Sequence, residues 1–386
     1  MARKVCVMTS VHPPFDVRIF HKECKSLARA GYHVTLIAPC DQECEIDGVH
    51  LKPLPQWKGR WDRMTRGQIL VYRGARETNA DVYHFHDPEL IPVGLLLTFL
   101  GKKVIYDIHE DLPRTFSYKS YLPRFLRSLI SRCVEVIENW AGARFSALFV
   151  ANPAIADRFR KRNANLSVVK NFPKVEEIEP VSRGDLSQRE PSLIYVGMRI
   201  TRSRGIEEVI RAMGLLPSSL DARLKLIGSW DPPDLPLSLC KLPGWDRVDF
   251  IGPLGRRGVA EQLKKARVGL AILHPEPNYV TAQPVKLFEY MCAGMPVITS
   301  DFPVCREIVA KDGCGFLVNP ADTQEISHAI EFLLTHPEEA DAMGKRGLQA
   351  VRQKYTWAEE EKVLLRTYLD LCPLDPKWFE TLVDAR

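Results

Sequence analysis

The stretch PVKLFEYMCAGMPVITS, residues 284–300, sets a lysine and a glutamate three positions apart in a run that is otherwise almost wholly apolar. Its first half reads as a helix opened by Pro284, and its end, MPVITS, as a buried strand. A helix passing through a short turn into an apolar strand is half of a parallel α/β unit. With Pro284 at the first helical position, where a missing N–H costs nothing, the amides of Val285 and Lys286 stand unpaired at the positive end of the helix dipole. Such an end attracts phosphate, and Lys286 adds a cation to it. Glu289 follows one turn on, nearly on the same face. A carboxylate beside a phosphate seat is repulsive unless it has another task, and accepting both hydroxyls of a ribose is one. The two charges read either as a grip on a nucleoside diphosphate or as solvated charges on a core helix.

Outward from this stretch the same alternation recurs. In the first half KVCVMTS, HVTLIAP, DVYHFH, KVIYDIH, ALFVAN and LSVVKNF read as strands, with amphipathic connectors such as Arg18 to Ala30, stopped by Gly31. Residues 171–191 break the pattern: they are polar, aperiodic and punctuated by proline, as an interdomain linker is. Then SLIYVG, LKLIG, VDFIG, VGLAIL, MPVITS and GFLVN restart it, with helices from near Gly205, Arg256, Pro284 and Pro303 and helical sequence from Thr323 to Leu371. The fold class expected is α/β, with two Rossmann-like, doubly wound domains facing a central cleft. A chain of 386 residues is too long for one core and suits two.

The formal charge of +5 is unevenly placed, for residues 114–162 carry ten Lys or Arg against Glu135, Glu138 and Asp157. A local surplus suggests an anionic surface or ligand met at one place, not a coat for nucleic acid. The ten cysteines form no CxxC pair and lie at no zinc spacing, which reads as reduced thiols in a cytoplasmic protein. No signal-peptide core follows Lys4, and the longest apolar run, residues 90–101, is too short to cross a bilayer of about 30 Å.

The 284–300 stretch also resembles the signature of retaining glycosyltransferases of the GT-B fold, family 4, in the branch reading P-x-K-x-x-E-Y-M-x-x-G-x-P-V-I. SVHPPFDVRIFHKECKSLARAGYHVTLIAP, YHFHDPEL, IYDIHED, YVGMRITRSRGIEEVIRAM and KYTWAEEEKVLLRTY resemble further motifs of that family, in its order. The resemblance implies an acceptor-side domain over 1–178, a linker over 179–191, a nucleotide-sugar domain over 192–355 and a C-terminal helix, 356–386, packing back toward the first domain. It implies transfer of a sugar from a UDP- or GDP-activated donor to a hydroxyl of a sugar or lipid-linked acceptor, with retention and with no metal or other cofactor. No Asp-x-Asp pair of the metal-dependent kind occurs in the sequence. Cations and helix amides are then expected to meet the leaving diphosphate.

The residues matching the family's catalytic and donor positions are His109, Glu289, Arg204 and Lys286, with Arg199 or Arg202 as a second loop cation and Gly228, Pro253, Thr281, Pro284 and Val285 lining the donor. Thr281 stands where the family's first motif glutamate usually sits, and Met198 where an arginine is common. His109 is expected near the donor sugar, brought there by closure about the linker. On the acceptor side stand Asp16 and Arg18, in a loop with two prolines in place of glycines, and His86 and Asp87, clustered with His84 and Glu89.

In YLPRFLRSLISRCVEVIENWAG, Leu122, Phe125, Leu126, Leu129, Ile130, Cys133, Ile137 and Trp140 share a helical face opposite Arg124, Arg127 and Ser131. The helix reads as a layer on the sheet. With the cations and aromatics before it, residues 114–140 also read as a peripheral contact with the anionic inner face of the cytoplasmic membrane.

Overall fold

The computed structural model describes residues 3–118, 123–178 and 186–374. Residues 119–122 of the basic segment, 179–185 of the linker and 375–386 of the C-terminal segment lie outside them. The chain divides into two compact units, Met1–Asn171 with Ala358–Arg386, and Phe172–Trp357.

The first unit carries β1 (Lys4–Met8), β2 (His33–Pro39), β3 (Cys44–Ile46), β4 (Val49–Leu54), β5 (Val82–Phe85), β6 (Lys103–Ile108), β7 (Ala147–Val150) and β8 (Leu166–Val168). They lie in the order β3-β4-β2-β1-β5-β6-β7-β8, and all pairs are parallel except β3 with β4. Val5 to Met8, Val82 to Phe85 and Ala147 to Val150 are wholly buried, as strands covered on both faces must be. The β3–β4 hairpin escaped the reading of the sequence, although its turn, Asp47-Gly48, is a strong hairpin signal. Both turn residues have left-handed backbone, φ 54° and 75°.

The second unit carries β9 (Ser192–Ile200), β10 (Arg223–Trp230), β11 (Val248–Gly252), β12 (Val268–Ala271), β13 (Val297–Ser300) and β14 (Gly315–Val318), all parallel, in the order β11-β10-β9-β12-β13-β14. That is the doubly wound order, with its reversal between β9 and β12. Residues 172–178, counted with the first domain in the sequence, pack here. Phe172 meets the rings of Phe288 and Tyr355 at 4.8 and 5.4 Å, and Glu177 pairs with Arg256. The last helix, Trp357–Leu371, buries Tyr368 in the first unit, its ring 5.7 Å from that of Tyr32.

The quoted stretch forms a helix over Val285–Cys292 and then β13. Pro284 is the residue before the first helical one, not the first itself, with φ −66° and ψ 115°. Its carbonyl takes the Leu287 N–H at 3.0 Å, which leaves the Val285 and Lys286 amides outside the helical ladder. The helix is held down by Tyr290, whose phenol donates to the Leu270 carbonyl (3.1 Å) and accepts from the Val196 N–H (3.0 Å). Beneath that ring Gly269 is obligatory, because a Cβ there would lie 2.3 Å from Tyr290 Cγ.

The helix Arg124–Gly142 turns its apolar face the other way from a core layer. Phe125, Leu129, Val136 and Ile137 are 73%, 58%, 67% and 55% exposed, while Glu138, Asn139 and Ala141 point inward. Glu138 takes bonds from Tyr106 and Arg158 there, so the buried face is anchored by polar bonds and not by the apolar stripe.

Gly269→Ala should drive the new methyl into Tyr290 and lift the helix. Equilibrium urea unfolding is expected to show a loss of about 1–3 kcal/mol with little change in the slope, and an unchanged midpoint would refute this packing.

Candidate functional site

Polar side chains gather at the carboxyl ends of the strands, beside the point where strand order reverses, in each unit separately. In the second unit, the loop after β9 turns at Gly205, φ 65°, where a Cβ would come within 2.6 Å of Ile272 Cγ2. Glycine alone lets that loop settle on the residue following β12. Arg204, just before it, faces Tyr195 and Tyr279, its guanidinium carbon 5.9 Å from the Tyr279 ring centre.

Lys286 reaches the same place from the start of its helix. Its Nζ lies 3.6 Å from the centre of the Tyr195 ring and has no hydrogen-bond partner among the described residues. Burial, and next the charge of Arg204, hold its pKa well below that of an ordinary lysine; Glu289 only partly offsets them. Glu289 stands 3.8 Å from Nη1 of Arg256, which also pairs with Glu177. Two cations and two free amides around an aromatic ring, with one carboxylate to the side, form a seat that lacks negative charge. A dianion completes it.

Arg199 and Arg202, also expected at the donor side, are engaged with other groups. Arg199 is exposed and bonds Asp231 at 3.1 Å, and Arg202 pairs with Glu207 and donates to Ser238 Oγ at 2.6 Å. Of the loop arginines, only Arg204 joins Lys286. Gly228, φ 142°, answers a backbone demand, since a Cβ would lie 1.9 Å from the Gly197 carbonyl oxygen where β9 and β10 shift register. Pro253 is exposed in the turn after β11. Thr281 bonds its own helix, through Oγ1 to the Pro277 carbonyl at 3.3 Å. His274, outside the expected set, bonds the Ser203 carbonyl through its backbone N–H at 2.8 Å while its Nε2 lies 3.1 Å from Glu208. It ties the loop after β12 to the loop after β9.

In the first unit the ends of β1, β5 and β6 bring together Thr9, Ser10, His86, Asp87 and His109. Asp87 is buried and accepts from Thr9 Oγ1 (2.8 Å) and the Ser10 N–H (2.6 Å). His86 is buried too, and neither it nor Asp87 lines a surface that an acceptor could touch. Arg18 is a clearer correction. Its guanidinium is buried, with Nε 2.7 Å from Asp107 Oδ2 and Nη1 donating to the Val169 carbonyl at 2.8 Å. It supports the site from below, because the residues after the two prolines enter a helical turn that points it into the sheet. Asp16 caps that turn, accepting from the Arg18 and Ile19 amides at 2.8 and 2.9 Å.

His109 does reach the surface, and Nε2 lies 3.2 Å from Asp107 Oδ2. His12, outside the expected set, stands beside it with ring centres 5.4 Å apart. Burial acts to lower the His12 pKa, but Asp16, then Asp87 and Asp107, outweigh it and raise it. Asp16 in turn stays below the usual carboxylate range: burial opposes this, but His12 and the Ile19 N–H overcome it. Among the described residues one set has the composition of a metal site, Glu23, His84, His86 and Asp107, all buried. The Arg18 guanidinium already pairs with both of its carboxylates.

Two family models match the chain: "Glycosyltransferase Family 4" over residues 17–176 and "Glycosyl transferases group 1" over 181–350. An uncharacterized glycosyltransferase of Methanocaldococcus jannaschii is 28% identical over 180 residues, 46% of this chain and 45% of the relative. The MMP α-(1→4)-mannosyltransferase of Mycolicibacterium hassiacum is 23% identical over 83% of this chain and 77% of its own. Among solved structures, Anabaena HepE in complex with UDP and glucose superposes with a TM-score of 0.73 at 15% identity, covering 95% of this chain and 100% of that one. This likeness shows the fold, GT-B, with two Rossmann-like α/β units.

The His12–Asp16 pair has a defined pH window. The raised folded pKa of His12 gives stability that is complete below about 6.5 and fades as pH rises through the folded value, while the depressed Asp16 value gives stability that is complete above about 3.9 and fades below it. The melting-point deficit of His12→Gln against wild type should therefore be larger at pH 6 than at pH 9, and an equal deficit at both would show that the ion pair contributes nothing.

Proposed function

We propose that this chain, which belongs to the group 1 and family 4 glycosyltransferases, is a retaining, metal-independent enzyme that moves a sugar from a UDP- or GDP-activated donor to a hydroxyl acceptor. Its place is in cell-envelope polysaccharide or glycolipid synthesis. The observation that carries this reading is the unpartnered, buried Lys286 amine beside Arg204 at the strand reversal of the second unit. A nucleoside diphosphate supplies the two negative charges that the seat lacks, and as the sugar–oxygen bond breaks, charge grows on the phosphate oxygen that those cations meet. Glu289, steadied by Arg256, is the acceptor for the ribose hydroxyls. His109 is the group for the transferred sugar, donating or accepting a hydrogen bond as positive charge develops at the anomeric carbon. With cations and amides at the diphosphate, no metal or other cofactor is required.

The acceptor reading follows from the outward apolar face of Arg124–Gly142. A stripe of Phe125, Leu129, Val136, Ile137 and Trp140, with Arg144 stacked 3.9 Å over Trp140, suits the interfacial region of an anionic bilayer. No described helix is long and apolar enough to cross a membrane. The contact proposed is peripheral, at the inner face of the cytoplasmic membrane, where a lipid-linked acceptor would be met.

The donor site is tested by thermal shift with UDP, GDP, ADP and TDP in the absence of metal. A ligand at a hundred times its Kd adds about 2.7 kcal/mol, several degrees in a domain of this size. Because the folded pKa of Lys286 lies below its unfolded value, its ammonium opposes folding at neutral pH. Lys286→Met should therefore melt no lower than wild type without nucleotide, yet lose the response to it; a retained response sinks the donor site. Product formed with an added acceptor, its anomeric configuration read by NMR, separates transfer from epimerase or hydrolase chemistry on this fold and from donor binding without turnover. For the membrane contact, the protein should sediment with phosphatidylglycerol vesicles at low salt, and Phe125→Ser with Ile137→Ser should weaken this by roughly tenfold or more. Wild type left in the supernatant would dismiss it.

A further inference from the structure

Beneath His109 lies a group of side chains for which the transfer reaction has no use. Glu23, His84, His86 and Asp107 are fully buried, and each offers a ligating atom within 4.8 Å of the others. Both carboxylate oxygens of Glu23, and Nε2 of His84 and of His86, have no hydrogen-bond partner among the described residues. Either a metal ion or a proton could complete such a set.

The charges decide between them. Arg18 grips Asp107 through two parallel bonds, Nε to Oδ2 at 2.7 Å and Nη2 to Oδ1 at 2.9 Å, and its Nε also lies 2.9 Å from Glu23 Oε1. One guanidinium against two carboxylates leaves a single negative charge uncompensated in an apolar interior, where it cannot persist. One proton brings the set to neutrality. A divalent ion would overshoot to a net positive charge.

The ring nitrogens then fall into one consistent order. The ionised carboxylate of Asp107 can only accept, so Nε2 of His109, 3.2 Å from Oδ2, carries a hydrogen. Nδ1 of His86 lies 3.2 Å from that Nε2 and 3.3 Å from the same oxygen; with the His109 hydrogen given to Asp107, Nε2 is no acceptor, and a bare Nδ1 would face the carboxylate with a lone pair, so it carries a hydrogen too. This leaves Nε2 of His86 as a bare lone pair, 3.6 Å from Glu23 Oε2. On the far side, Nδ1 of His84 bonds the Tyr368 phenol at 2.9 Å. We propose that Glu23 is held as a neutral acid and that Glu23, His86 and Asp107 are positioning residues, which fix His109 with its hydrogen on Nε2 and turn its Nδ1 toward the sugar. That the partner of Nδ1 is a sugar rests on the function proposed above; the proton and the tautomer do not.

The titration of these groups points the same way. The charged and titratable groups facing Glu23 are Arg18 and Asp16 from its own segment, His84 and His86 at β5, Asp107 on β6 and Tyr368 on the last helix. Burial, then the charge of Asp107, hold the Glu23 pKa well above the usual carboxylate range, against Arg18. Burial lowers His86 to about 4, so it is neutral where Glu23 is protonated.

The test uses the full chain as purified. Glutamine copies the shape and neutrality of a protonated glutamate, so Glu23→Gln should melt within about 2 °C of wild type. The ¹⁵N ring spectrum of the wild type, with His109 assigned through His109→Gln, should show Nε2 protonated and Nδ1 bare, and mass-spectrometric analysis should find no stoichiometric metal. A fall of more than about 8 °C in Glu23→Gln, a proton on Nδ1, or one zinc, manganese or iron per chain would each overturn the proposal. None of these readouts involves a donor, an acceptor or turnover. If they hold while nucleotide binding fails, it is the glycosyl-transfer reading that falls.

Discussion

A parallel strand covered on both faces can place polar side chains only where it ends, and this constraint arranges the whole chain. Val5 to Met8 on β1 and Val268 to Ala271 on β12 are buried throughout, so the first charged or hydrogen-bonding groups appear just past their carboxyl ends. Strand order reverses beside β1 in one unit and between β9 and β12 in the other, which opens a gap at those ends. Every candidate residue with a chemical role stands at such an end or on the helix that follows it.

The two sites resolve their charges in opposite ways. In the second unit Arg204 stands over the Tyr279 ring and Lys286 over the Tyr195 ring without a matching pair of carboxylates, which leaves that site short of negative charge. In the first unit Arg18 sits against Asp107 and Glu23 with two imidazoles behind, and a single proton balances the set. A seat short of negative charge is built to bind a ligand. A balanced, buried set is built to hold a neighbouring group still.

Local packing keeps these side chains in place. Tyr290 spans β9 and β12 through two bonds of its phenol, and Gly269 clears the space for its ring, so Lys286 and Glu289 are set by a core contact one turn away. Gly205 does the same for Arg204 by letting its loop rest on Ile272. The helix Arg124–Gly142 shows the reverse logic: Glu138 fastens its inward face by polar bonds and frees the apolar face for contact outside the unit.

Strand positions, helix starts near 205, 256, 284 and 303, and the placing of Lys286 and Glu289 on one helix were all legible in the sequence, because hydrophobic period and proline or glycine punctuation are local properties. The β3–β4 hairpin is marked in the sequence only by its turn, Asp47-Gly48. What no local pattern could show was direction. Arg18 and Arg204 are both loop arginines beside helix starts, yet one is drawn into the sheet by Asp107, far along the chain, and the other faces Tyr279 beside Lys286. His12 gains its role from Asp16 and Asp87, and Glu23 from residues on β5 and β6. The sequence by itself determined the architecture and where along each strand chemistry could occur. Only the tertiary structure decided which charges meet, because burial and opposite charge act between residues that the chain brings together late.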